Sequence, residues 1–172
     1  MLRVSPQPWS RMLLTRDQEA PHDFDFVIGD WRVHHRRLKA RLAGCNDWEA
    51  FEGLSSTRKT LGGFGNVEDN QIFIPGESYR AMAIRSFDRD TKSWSIWWLD
   101  GRVPGVLDVP VVGHFADGVG TFFAEDTLNA LPIKIRFTWN SSSGNPRWDQ
   151  AFSADGGVTW ETNWEMEFVR LA

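Results

Sequence analysis

The chain of 172 residues carries a net charge of −4, and 41% of its residues are hydrophobic. That length holds one domain with a substantial core and excludes a propeller of several four-stranded blades. The acidic balance excludes a basic footprint, so neither nucleic acid nor membrane is expected as a partner.

One cysteine, Cys45, has no partner for an internal disulfide and fits a reducing, cytoplasmic setting. Prolines interrupt the N-terminal stretch where a signal peptide needs an apolar run, and no segment approaches the ~20 apolar residues of a membrane helix. Ten tryptophans and twelve phenylalanines stand beside a single tyrosine. Aromatic side chains favour strands and bury large areas, which predicts an all-β core. They also line ligand pockets.

Residues 1–21 are proline-bearing and aperiodic, and read as an N-terminal arm before a domain at 22–172. Met12-Leu13-Leu14 in that arm offers an apolar segment to the domain or to a second subunit, which leaves a homodimer open. Phe24, Phe26 and Ile28 suggest a short helical turn before Gly29. From Trp31 the pattern is that of a strand, with Trp31, Val33, His35 and Arg37 on one face. Strands are then expected at 49–61, 70–76, 79–88, 93–101, 111–118, 118–127, 131–140, 146–157 and 158–171, separated by short Asp/Gly/Asn/Pro/Ser clusters. No segment sustains a period of 3.6. About nine or ten antiparallel strands result. Their exposed edges are removed if the last pairs with the first in an up-and-down barrel. A two-sheet sandwich would need longer Greek-key connections.

Three connections place an aromatic on each side of a polar turn: Phe87 to Trp94, Phe115 to Phe122, and Phe152 to Trp160. Aspartate serves the turn amides, and the aromatics are expected to pack across the strands. The segment "SADGGVTW" resembles the Asp-box hairpin of sialidase propellers. It occurs once, and a propeller needs the motif in successive blades, so it reads as a structural staple.

The blocks "FDFVIGDW", "RSFDRDTKSWSIWWLDGR" and "FSADGGVTWETNW" together resemble an uncharacterised bacterial family of lipocalin-like, calycin-type barrels, over about residues 22–170. Gly29-x-Trp31 is similar to the first-strand signature of lipocalins, which implies that Trp31 plugs the closed end. The resemblance implies a fold and transfers no chemistry.

Metal and phosphate chemistry find little support. His34 and His35 point to opposite strand faces and cannot share one ion, and no His or Cys pair has ligand spacing. "LGGFGNVEDN" lacks the ending of a phosphate loop and reads as a flexible connection, a lid at the barrel mouth. No cofactor is expected.

Polar residues in register with apolar ones carry the functional reading. His35 and Arg37 share a face with Trp31, and Arg85 shares one with Ala81 and Ala83. Asp100 follows Trp98, Gln150 lies between Trp148 and Phe152, and Thr162 lies between Trp160 and Trp164. The candidate ligand-binding set is therefore His35, Arg37, Arg85, Trp98, Asp100, Gln150 and Trp164. Asp100 is expected to neutralise one arginine as a structural pair, and the other cation to meet a ligand carboxylate or carbonyl. The expected partner is a small, largely apolar or amphipathic molecule. Two alternatives remain. One is a cofactor-independent lyase, isomerase or cyclase with His35 or Asp100 as acid/base and Arg85 polarising a carbonyl. The other is haem binding, with His35 or His114 as axial ligand.

Overall fold

The structure, a computed structural model, describes residues 20–142 and 144–171. The arm expected over residues 1–21, with Met12-Leu13-Leu14, lies outside them apart from Ala20 and Pro21.

Ten strands follow in chain order: β1 Gly29–Leu38, β2 Trp48–Thr60, β3 Gly65–Ile74, β4 Glu77–Asp88, β5 Ser93–Asp100, β6 Val111–Ala116, β7 Val119–Leu128, β8 Leu131–Asn140, β9 Arg147–Ser153 and β10 Glu161–Arg170. Each pairs antiparallel with its neighbour in sequence. β1 pairs with β10, Trp31 opposite Arg170 and Arg37 opposite Trp164, so the barrel is closed. Closure gives every strand two partners, and alternation sends one face of each inward. On β1 that face is Trp31, Val33 and His35, all buried, while Arg32, His34 and Arg36 are exposed.

Connections alternate between the two ends, and one end is plugged. A 3-10 turn at Asp25–Val27, the turn expected before Gly29, drives Phe24 and Val27 into the barrel. Phe24 meets Trp94 and Phe115 edge-on, each at 4.9 Å between centroids. The Trp31 indole N–H donates to the Val27 carbonyl at 2.8 Å, and the Arg170 guanidinium lies over its ring at 4.1 Å. Gly29 makes room for that arginine. Its φ is +128°, and a Cβ there would come within 2.5 Å of Arg170 Nη1.

Two of the aromatic-flanked turns behave as expected: Phe87 and Trp94 pack at 5.3 Å, Phe115 and Phe122 at 5.7 Å. The third does not. Phe152 is buried inside, whereas Trp160 lies outside against Phe123 at 6.0 Å, with Arg136 over its ring. β10 begins only at Glu161, and a bulge between Thr162 and Trp164 breaks its alternation. Trp160, Thr162 and Trp164 therefore share no common inner face.

β3 also departs from expectation. It starts at Gly65 rather than Asn70, so most of "LGGFGNVEDN" is strand. The link that remains, residues 61–64, sits at the plugged end and cannot cover the mouth. Its Phe64 carbonyl accepts the Phe87 backbone N–H at 2.8 Å.

Candidate functional site

A cavity of about 450 Å³ occupies the barrel and opens at the end opposite the plug. Its mouth is formed by residues of the β1–β2 and β5–β6 connections and by the end of β7, among them Arg41, Val106 and Leu128. The volume falls within the roughly 300–1,000 Å³ typical of small-molecule sites. Aromatic rings supply much of the wall. Trp164 meets Trp148 at 5.9 Å and Trp98 at 6.3 Å, both edge-on, and Phe137 meets Trp148 at 4.9 Å.

Arg37, Arg85, Trp98, Asp100, Gln150 and Trp164 all line this cavity. His35 does not. Its ring stacks on Phe51 at 4.8 Å, and its Nδ1 accepts the Trp164 indole N–H at 3.2 Å. Its Nε2 turns toward β2, where Gly53 leaves the space; a Cβ there would lie 2.6 Å away. Burial, with the nearby His34 and Arg37 charges, pushes the His35 pKa down to about 3. It is a neutral group behind the wall that orients Trp164 by accepting its indole N–H.

The expected Arg85–Asp100 pair does not form. Arg85 stands opposite Ile96, and Asp100 opposite Ala81, four residues earlier on β4. Arg85 instead pairs with Glu68 of β3, and its Nη1 donates to Asn66 Oδ1 at 2.8 Å. Glu68 Oε1 accepts from Ser55 Oγ at 2.7 Å. Asp100 is held by Arg102, through contacts of 2.7–3.2 Å, which keeps its carboxyl below the usual range. Gln150 donates to Asn163 Oδ1 at 2.7 Å, so the bulge residue of β10 orients it.

Sequence reasoning missed Asn66, Glu68 and Asn70 because their segment has no apolar alternation. It missed Arg41 because that residue sits in the β1–β2 connection. Arg41 lies with Arg37 at the mouth, and burial together with the Arg37 charge pulls it below its ordinary value. Among the described residues, neither arginine has a carboxylate within 4 Å. Arg37 instead lies over Trp164 at 5.6 Å and Phe51 at 5.9 Å.

The axial-ligand roles fail on the same geometry: His35 is turned away from the cavity, and His114 is exposed on the outer face of β6. Among the described residues no group of three His, Cys, Asp or Glu side chains could hold a metal ion, and no helix is long and apolar enough to cross a membrane.

These features define a ten-stranded closed antiparallel β-barrel around a small-molecule-sized cavity. Among solved structures the chain is similar to the S-type phycobiliprotein lyase CPES from Guillardia theta, with a TM-score of 0.58 and 10% identity. The match covers 97% of this chain and 99% of that one, and at such identity the likeness is one of fold. No family model and no curated protein matches the chain.

Proposed function

We propose that the barrel binds one small, largely apolar molecule bearing an acidic group, with the acid at the mouth on Arg37 and Arg41. The observation that carries this reading is the pair of arginines, with no carboxylate of the described residues within 4 Å, above an aromatic-walled cavity. Two partly buried like charges repel, and an anion between them relieves both the repulsion and the desolvation. Guanidinium groups suit a carboxylate because they donate in parallel. The resemblance to an uncharacterised bacterial barrel family and a cytoplasmic location, suggested by the lone Cys45, belong to the same proposal.

Calorimetric titration with dodecanoic acid and dodecanol tests it. The acid should bind about tenfold or more tightly than the alcohol, and Arg37→Met should remove most of that preference. Equal affinities for the two probes would overturn the reading.

A second reading, a cofactor-independent lyase, isomerase or cyclase, draws on Asp108. This carboxyl lines the mouth and is raised by burial and by Asp126 and Asp100. A carboxyl held up in this way suits proton donation. The acid/base roles expected of His35 and Asp100 lose support, since one is walled off and the other is ion-paired. Turnover of a bound compound that stops in Asp108→Asn would favour this reading.

A further inference from the structure

Inside the cavity, Arg85 and Asn70 each keep a hydrogen-bond donor without an acceptor among the described residues. The Arg85 fork is used on one side only: Nη1 meets Asn66 and Nη2 meets Glu68, while its Nε is buried with no partner. Asn70, 3% exposed, has an equally unpartnered Nδ2. Both residues line the cavity, as does Ala83 between them on the β3–β4 wall. Buried donors are normally satisfied, so two of them on one cavity wall mark a place where something else supplies the acceptor.

The chemistry of that acceptor follows from charge. Arg85 is already neutralised by Glu68, so a carboxylate brought here would be a second buried anion beside the first, without a free cation. A neutral oxygen suffers no such penalty. The geometry points to a second anchoring position in which Asn70 and the Arg85 Nε–H hold a carbonyl oxygen of the ligand's buried portion. This rests on the reading of the barrel as a binder of an apolar acid, and it narrows the ligand class to apolar oxo-acids. The acid meets the mouth arginines, and the carbonyl meets the β3–β4 wall.

The test compares dodecanoic acid with a set of oxo-dodecanoic acids whose carbonyl is moved along the chain, by calorimetric titration. At one position the oxo-acid should bind about tenfold more tightly than the parent, the usual worth of one buried hydrogen bond. In Asn70→Leu that ratio should fall to about one, and in Asn70→Asp, which replaces a donor by an acceptor, below one. If dodecanoic acid binds but no oxo-acid surpasses it, the donors serve bound water only, and this inference falls while the binding reading stands. If the ratio survives both substitutions, the assignment to Asn70 is overturned. If neither the parent nor any oxo-acid binds, both readings fall together. The comparison in the unsubstituted protein decides the matter even where a variant does not fold.

Discussion

Arg85 of β4 and Glu68 of β3 form an ion pair whose side chains are only 2% and 5% exposed. The Arg85 guanidinium is also sandwiched, with its carbon 5.1 Å from the centroids of both Phe24 and Trp139. It thereby ties the polar wall of the cavity to the plug at the closed end. Removing one member of such a pair leaves the other charge buried and unpaired. Arg85→Met and Glu68→Leu should each cost about 3–5 kcal/mol in urea unfolding. The double variant should lose much less than the two single costs combined. Additive losses would show that the two side chains act independently.

Trp31 supports the plug from β1. Its ring meets Phe168 edge-on at 6.2 Å, carries Arg170 on its face, and holds the Val27 carbonyl. Trp31→Ala should destabilise by about 3–5 kcal/mol, as for other large core aromatics. An unchanged melting temperature would show that the closed end does not depend on it.

His35 makes stability depend on pH. Its folded value, about 3, lies below the ordinary 6.5, so between those limits the unfolded chain binds the extra proton. The stabilisation is therefore complete above the ordinary value and is lost as pH falls toward the folded one. The slope in that window is about 1.4 kcal/mol per pH unit from this group alone. Urea unfolding across the window measures the slope, and an NMR titration of the ring should show it neutral down to about pH 5. A ring that titrates at its ordinary value would contradict the burial described above.

Asp155 holds the turn between β9 and β10. Its carboxylate accepts the Val158 and Thr159 backbone N–H groups at 3.0 and 2.9 Å, the Thr159 hydroxyl at 2.6 Å and the Ser153 hydroxyl at 2.7 Å. The bonds from Thr159 above all hold it well below the usual carboxylate range. Its contribution is therefore present above the ordinary aspartate value and disappears as pH falls below it. Asp155→Ala should lower the melting temperature at neutral pH, less so in acid, and leave the affinity for dodecanoic acid unchanged. Lost binding at unchanged stability would place this turn in the functional site instead.

The β4–β5 hairpin shows how far local reasoning reaches. The sequence marks its turn and pairs Phe87 with Trp94. Counting outward from that pair places Arg85 opposite Ile96, as observed. Arg85 and Asp100 lie on faces that both turn inward, but this register keeps them apart. β3 has no aromatic-flanked turn from which to count. "GNVEDN" carries Asn66, Glu68 and Asn70 on its inner face, so the apolar alternation that reveals a strand is missing. Only the flanking strands β2 and β4, hydrogen-bonded to both edges, compel it to be one.

By itself the sequence determined a meander of about nine or ten antiparallel strands that closes into a barrel, and which residues of β1, β4 and β5 share a face. These follow from period-two alternation and turn chemistry, which act over a few residues. Tertiary structure alone decided that His35 turns behind Trp164, that Arg41 joins Arg37 at the mouth, and that Glu68 neutralises Arg85. The first and third depend on which strands the closed barrel brings together over 129 and 17 residues, and the second on the course of the β1–β2 connection. A buried charge takes its partner from that three-dimensional neighbourhood, whatever the spacing along the chain.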